Sequence, residues 1–301
     1  MSSGIKTSAE PSTEATSSQS TNFSAQRDSF IELNGRERAI SLFDANCWRE
    51  LLGPFDRIES PWLVPQNVTP QADDGCIVVK GKIDEKSTVV IAMEPAFQGG
   101  SLGEVSGAKI CAALDLACRD NENGINTSAI LLLETGGVRL TEANLGLAAV
   151  AEIISSLLLL RKHAPIICLS AGSVGCFGGM SLVAALSTYM VMTIEGRLGL
   201  NGPEVIEQEH GVEEFDSTDR ALIWAIDGGE QRYETGLADV LVKDDVHVIR
   251  KAIRELLKKE IPAVHRSQQI DLYRSRIAAL NTATQWNPAD LRATWNRESS
   301  K

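Results

Sequence analysis

Residues 129–142 read Ala-Ile-Leu-Leu-Leu-Glu-Thr-Gly-Gly-Val-Arg-Leu-Thr-Glu. The apolar run Ala129 to Leu133 is too short for a core helix and ends at a polar loop, Glu134 to Arg139, that carries two adjacent glycines. That is the pattern of a strand buried on both faces whose end turns sharply. Thr141 then stands as an N-cap for a long apolar helix ending near His163. Similar units flank this one. Downstream, a strand at Pro165 to Ser170 leads through Gly172-Ser-Val-Gly175-Cys-Phe-Gly178-Gly179 into a helix from Gly179 to Leu186. Upstream, Cys76 to Lys80 and Ser87 to Met93 form β-rich runs around a turn at Lys82–Glu85, and Gly99-Gly100-Ser101-Leu102-Gly103 opens a helix from Glu104 to Arg119. Tyr189 to Ile194 and Arg197 to Leu200 read as further strands. The last third is mostly helical, with a strand at Asp239–Val242 before a helix from Val246 to Glu260. Strands alternating with buried helices predict an α/β domain with a largely parallel sheet.

The chain has 301 residues, 43% hydrophobic and 23% charged, which suffices for a large core in one domain. Its net charge of −11 is interrupted by no basic cluster, which excludes a nucleic-acid partner. The most apolar stretch, Leu145 to Leu160, contains Glu152 and Ser155–Ser156 and is shorter than a membrane-spanning helix needs, so membrane insertion is not expected. Residues 1–29 are Ser/Thr-rich and aperiodic, the composition of a disordered tail, with acidic Glu10, Glu14 and Asp28 unlike a transit peptide. The ordered domain is expected over 30–285, starting with the amphipathic run Gly35 to Asp44, and a C-terminal tail over 286–301. Pro54, Pro61, Pro65 and Pro70 mark a loop. Six dispersed cysteines without a C-x-x-C pair, and no apolar leader, read as reduced thiols in a cytoplasmic protein.

The chemistry lies with the glycines. Three glycine pairs after strands (Gly99–Gly100, Gly136–Gly137, Gly178–Gly179) bring bare backbone N–H groups close to a ligand, and a helix starting there adds its dipole. This is the material of an oxyanion hole. The plainer explanation, turn punctuation or helix–sheet packing, suits one pair better than three.

Ala171-Gly-Ser173-Val-Gly175 approaches a nucleophile elbow, with Asp227 or Asp239 and His247 as conceivable partners. Yet His163, His210 and His247 each suit a helix end, and His265 lies in a polar segment. No spacing fits a zinc site or a nucleotide loop. Asp73–Asp74 and Asp244–Asp245 read as solvated turn or cap residues. Glu104 and Glu134 read as helix-terminus charges before substrate-positioning groups.

At these turns the sequence resembles carboxyltransferase subunits of the crotonase-like superfamily. The resemblance is carried by Phe97-Gln-Gly-Gly-Ser-Leu-Gly103, Glu134-Thr-Gly-Gly-Val-Arg139-Leu-Thr-Glu142 and Leu198-Gly-Leu-Asn-Gly-Pro203-Glu-Val-Ile-Glu207, in the family's order, and extends from Arg36 to Lys243. Within that group it is most similar to beta subunits of biotin-independent malonate decarboxylase. The cysteine-free residues 1–46 depart from the four-cysteine zinc ribbon of the acetyl-CoA carboxylase beta subunit, and Glu204 replaces an arginine common in the third motif. The resemblance implies a crotonase-like fold of stacked sheets surrounded by helices. It also implies a site formed with a homologous gamma subunit. There malonyl, held as a thioester on the phosphoribosyl dephospho-CoA group of an acyl carrier (delta) subunit, loses CO2 to give acetyl. An alpha subunit exchanges acetyl for malonyl, and no cofactor is bound directly by this chain.

On that basis Gly136, Gly137 and Val138 are expected to supply the oxyanion donors. Gly178 and Gly179 would supply the second turn of the N–H pair or line the pantetheine channel, and Gly99, Gly100 and Ser101 would shape the pocket. Two alternatives remain open: the carboxyltransferase half of a biotin-dependent acyl-CoA carboxylase, and a non-catalytic carrier-docking subunit. Arg161–Lys162 and Lys258–Lys259 are candidates for meeting an acidic carrier, with solvated helix ends as the plainer explanation.

Overall fold

A computed structural model describes residues 28–69, 74–142, 144–172, 174–284 and 286–295. One mixed sheet of seven strands runs in sequence order: β1 (Trp48–Leu52), β2 (Cys76–Ile83), β3 (Lys86–Met93), β4 (Thr127–Leu132), β5 (Ile166–Ser170), β6 (Tyr189–Thr193) and β7 (Val240–Val242). The first three are antiparallel, and from β3 onward every pair is parallel. A two-residue turn joins β2 to β3, with Asp84 and Glu85 both left-handed, the conformation that matches the twist of a tight hairpin.

Ten helices accompany the sheet among the described residues: α1 (Gly35–Ser41), α2 (Glu104–Glu122), α3 (Leu145–Leu160), α4 (Gly179–Leu186), α5 (Pro203–His210), α6 (Arg220–Asp227), α7 (Gly229–Glu234), α8 (Val246–Leu257), α9 (Ile270–Ala278) and α10 (Pro288–Thr294). Local chemistry sets several starts. Asn34 caps α1 in a capping box with Glu37, Asp245 accepts from the His247 and Val248 amides to open α8, and Pro203 sits in the first turn of α5.

The two-residue period of the strands divides the core. Val89, Ile91, Leu131 and Cys168 pack with Ile110, Leu114, Ile153 and Val183 of α2–α4 on one face. Val90, Ile130, Leu132 and Ile167 pack with Ala39 and Leu42 near α1 and with Ile249 and Ile253 of α8 on the other. Both faces are covered, which is why β4 and β5 read as unbroken apolar runs. The parallel strands all end on the same edge of the sheet, and all three glycine turns lie there.

Above that edge, among the described residues, a second layer takes the form of isolated bridges: Leu102 with Val138, Thr135 with Cys176 and Cys176 with Leu198 in parallel, and Arg197 with Gly228 antiparallel. The strand expected at Arg197–Leu200 is part of it. This segment bonds alternately to two neighbours, Leu198 N–H donating to Asp227 O and Gly199 N–H to Cys176 O, so no continuous ladder forms. Thr141 is not the cap of α3. It lies in a 3-10 turn, Leu140–Glu142, and α3 begins after Asn144. At the ends of the described chain, Asp28 O accepts from Val246 N–H and Ser29 Oγ donates to Asp244, while α10 falls within the segment expected as a C-terminal tail. Residues 1–27 and 296–301 lie outside the described residues.

Candidate active site

The turn after β4 is the centre of the candidate site, and it is bonded to both neighbouring turns. Toward the turn after β3, Gly136 N–H donates to Gly99 O at 2.9 Å, Leu102 N–H to Gly137 O at 2.9 Å and Arg139 N–H to Leu102 O at 2.7 Å. Toward the turn after β5, Thr135 N–H donates to Gly175 O at 2.7 Å and Phe177 N–H to Thr135 O at 2.9 Å. A β-carbon on Gly100 would stand 1.7 Å from Glu134 O, so that crossing is possible only for glycine. Gly137 and Gly178 then meet backbone to backbone.

These bonds sort the expected donors. Gly136 N–H is taken by Gly99 O and Gly137 N–H donates to Thr135 Oγ1 at 3.1 Å, so neither remains for a ligand. Gly178 N–H donates to Leu200 O at 2.8 Å. The residues following the two touching glycines differ. Among the described residues no acceptor faces Val138 N–H, or Gly179 N–H at the start of α4. Both residues are half-buried. A helix N-terminus adds positive potential at Gly179. Gly99, Gly100 and Ser101 serve as the lower wall and anchor of the central turn, with Gly100 and Ser101 N–H bonded within their own turn.

Two buried charged groups hold the turns, a role that their sequence positions do not reveal. Glu134, 2% exposed, accepts from the amides of Ala171 (3.1 Å), Gly172, Val174 (3.2 Å) and Gly175 (3.3 Å), shaping the turn after β5 from within. Burial pushes its carboxyl pKa up, opposed by the charge of Arg38 and by these amide bonds. Arg139 pairs with Glu142 at 2.7 Å and donates to Ser101 O at 3.0 Å. Glu104 is bonded to Ser60 Oγ, and its pKa is raised by burial and by Glu142 and Glu152. Asp74 is not solvated: it forms a 2.5 Å pair with Lys109, whose side chain is 1% exposed. A charge inside an otherwise apolar helix face, as at Lys109, was the available signal.

Other candidates disperse. Ser173 lies outside the described residues. His247 pairs with Asp28 at 3.4 Å at the start of α8, on the opposite sheet face from α4, while Asp227 pairs with Arg232 and Asp239 with Arg266. His210 ends α5 before Gly211, as expected. Among the described residues no cluster of His, Cys, Asp and Glu is placed to hold a metal, and all six cysteines are free thiols. No helix among the described residues is long and apolar enough to cross a membrane. Arg161 is committed to Leu186 O and Ser267 Oγ, and Lys258 to Asp84. Lys259 borders a cavity with Lys86, Ser128 and Pro165, at the sheet edge opposite the glycine turns.

Residues 35–296 match the carboxyl transferase domain. The chain belongs to the carboxyl transferase family. Among relatives, it is 39% identical to the malonyl-S-ACP:biotin-protein carboxyltransferase MADC of Malonomonas rubra, over 90% of this chain and 89% of that protein. Among solved structures, a chain of a Pseudomonas malonate decarboxylase hetero-tetramer in complex with malonate aligns with a TM-score of 0.85 and 52% identity, covering 90% of this chain and 98% of that one. A chain of the Pseudomonas MdcD–MdcE hetero-dimer aligns at 0.71 and 47%, covering 84% and 98%. As a carboxyl transferase, the chain has the crotonase-like α/β fold expected from its motifs, with the stacked layer above the main sheet reduced to bridges.

Proposed function

We propose that this chain is the beta subunit of a malonate decarboxylase. With a homologous gamma subunit it removes CO2 from malonyl-S-acyl carrier protein and leaves acetyl-S-acyl carrier protein. The observation that carries this reading is the pair of unengaged amides, Val138 N–H and Gly179 N–H, on two abutting glycine turns. When the C–C bond to the carboxylate breaks, its electron pair moves into the thioester, and negative charge collects on the thioester oxygen as an enolate. Two preorganised N–H donors aimed at that oxygen stabilise it more than the neutral carbonyl, and losing one such donor typically costs ~3 kcal/mol of barrier. Taking up one proton from water at the enolate carbon completes the acetyl group.

The thioester is carried on a phosphoribosyl dephospho-CoA arm of the carrier (delta) subunit, and an alpha subunit recharges it. This chain needs no tightly held cofactor in that scheme. A partner subunit is supported by the apolar side chains exposed next to the turns: Leu140 is 85% exposed, Leu200 59% and Leu182 46%. Exposed leucines in that number beside a site are costly in water and favour a covering surface. The same proposal places the chain in the cytoplasm.

A second reading is favoured by the Malonomonas relative, whose name specifies a biotin protein as carboxyl acceptor. Both reactions begin with the same loss of carboxylate and the same enolate. They differ only in where the carboxyl group goes. Malonyl-thioester turnover by this chain, with and without its partner subunit and with avidin present, separates them. Avidin-resistant CO2 release requiring both chains supports the decarboxylase. Avidin-sensitive transfer moves the chain to the biotin-dependent type. An intact complex with no turnover leaves a carrier-docking subunit.

A further inference from the structure

A loop built of glycines cannot hold an amide in place by itself, because glycine has the widest conformational freedom of any residue. Something else must fix Val138 N–H. The peptide groups around it are pinned by Leu102, which donates to Gly137 O and accepts from Arg139 N–H. Leu102 is held in turn by its neighbour Ser101, and Ser101 is held by Arg139. The Arg139 guanidinium donates from Nη2 to Ser101 O (3.0 Å) and Asp74 O (3.4 Å), and from Nε to Ser101 Oγ (3.2 Å). From Nη1 it donates to Glu142 Oε1 at 2.7 Å, and its plane lies over the Phe97 ring, 5.2 Å from the centroid. The other Glu142 oxygen accepts from Glu104 N–H at 2.7 Å, tying the pair to the first turn of α2. Both side chains are 5% exposed.

We propose that Arg139 and Glu142 are positioning residues for the Val138 amide, locking the turn after β3 to the turn after β4 so that this N–H stays aimed at the thioester oxygen. The proposal rests on the oxyanion reading given above. Arg139 is buried and commits four of its five N–H donors to the protein, so its role is exerted through the turn and not on substrate. Nor is stability a sufficient role, because a buried ion pair can be replaced by apolar groups at little or no cost to folding. An apolar pair cannot reproduce a planar fork that bonds Ser101 O, Asp74 O and a carboxylate together, and lysine, a point charge, cannot either.

The test compares the intact complexes of the wild type, Arg139→Lys, the double variant Arg139→Met with Glu142→Leu, and Val138→Pro. Melting temperature is measured with kcat and KM for CO2 release from malonyl-thioester. The double variant leaves no charge unpaired but strands Ser101 O, Asp74 O and Glu104 N–H, so its melting temperature falls by several degrees while the complex stays assembled. Its kcat falls roughly 10- to 100-fold, with KM unchanged, because the amide is misaimed. Arg139→Lys shows the same kcat loss while keeping its charge. A double variant with wild-type kcat overturns the proposal. So does Arg139→Lys with wild-type kcat, which decides the matter alone if the double variant fails to assemble. Val138→Pro deletes the donor itself. Unchanged kcat there defeats the oxyanion reading, whereas a loss there beside unaffected Arg139 variants defeats only the positioning role.

Discussion

A β-carbon on Gly178 would stand 2.8 Å from the Gly137 Cα, so the turns after β4 and β5 touch through bare backbone. Gly178 also has φ 62° and ψ −144°, and Gly137 has φ 126°, conformations that side chains rarely adopt. The amides of Val138 and Gly179 follow directly on either side of this contact. Gly178→Ala therefore pushes the two turns apart where the donors must converge. Turnover of the complex is expected to drop on the order of 100-fold, since displacement by about 1 Å costs that much. Steady-state kinetics on a complex verified by size-exclusion chromatography checks this, and undiminished kcat would show that the contact is not part of the site.

The first glycine pair separates crowding from conformation. A β-carbon on Gly100 would meet Glu134 O at 1.7 Å, whereas one on Gly99 meets nothing within 4 Å. Both have φ near the left-handed region, 66° and 63°. Gly99→Ala should then cost only the backbone penalty of about 1–2 kcal/mol. Gly100→Ala should exceed ~4 kcal/mol or fail to fold, because both clashing atoms are main chain. Urea denaturation of the two variants side by side measures the difference.

Much of the architecture was legible from residues 76–194, where unbroken apolar strands end in glycine turns and helices follow. The hairpin, the helix Gly179–Leu186 and the strands around Ile130 and Ile167 lie where the sequence places them. What misled were segments whose pairing is decided at a distance. Arg197 to Leu200 is strand-like in composition, yet it bridges two different segments instead of joining one ladder. Thr141 looks like a cap but sits in a turn that the Arg139–Glu142 pair spans. At the site, glycine spacing located the turns but could not say which amides were spent. Gly136 N–H is spent because Gly99 O lies opposite it, a fact of tertiary structure. Glu134 likewise looks like an ordinary loop carboxylate until the Ala171–Gly175 amides fold around it.

Lys109 and Asp74 supply a prediction about stability alone. The 2.5 Å pair is buried on both sides, and Lys109 Nζ also donates to Gly53 O, pinning the long connection between β1 and β2 to α2. Lys109→Met strands a buried carboxylate and is expected to cost about 3–5 kcal/mol. The double variant Lys109→Met with Asp74→Asn removes both charges and keeps an acceptor for Cys76 N–H, so it should recover most of that loss. A double-mutant cycle by chemical denaturation decides. Equal losses in the single and double variants would mean that packing, not the unpaired charge, sets the cost.

The Glu134 carboxylate predicts a pH dependence of definite sign. Burial raises its folded-state pKa above the ~4.3 of an unfolded chain, even though Arg38 and the turn amides pull the other way. The folded protein therefore holds this proton more tightly than the unfolded chain. The corresponding stabilisation is fully present below the unfolded pKa and is lost as pH rises through the folded pKa. Glu134→Gln, which does not titrate, lacks that loss. Its amide oxygen still accepts from the turn, but its NH2 group faces donors that a carboxylate oxygen had accepted, so the variant starts less stable in acid. Relative to wild type, its melting temperature should climb as pH is raised from the acid side of the carboxylate range toward neutrality. Paired melts across that window measure it. A gap between the two proteins that widens in the opposite direction would mean that the four amides outweigh burial and hold Glu134 ionised.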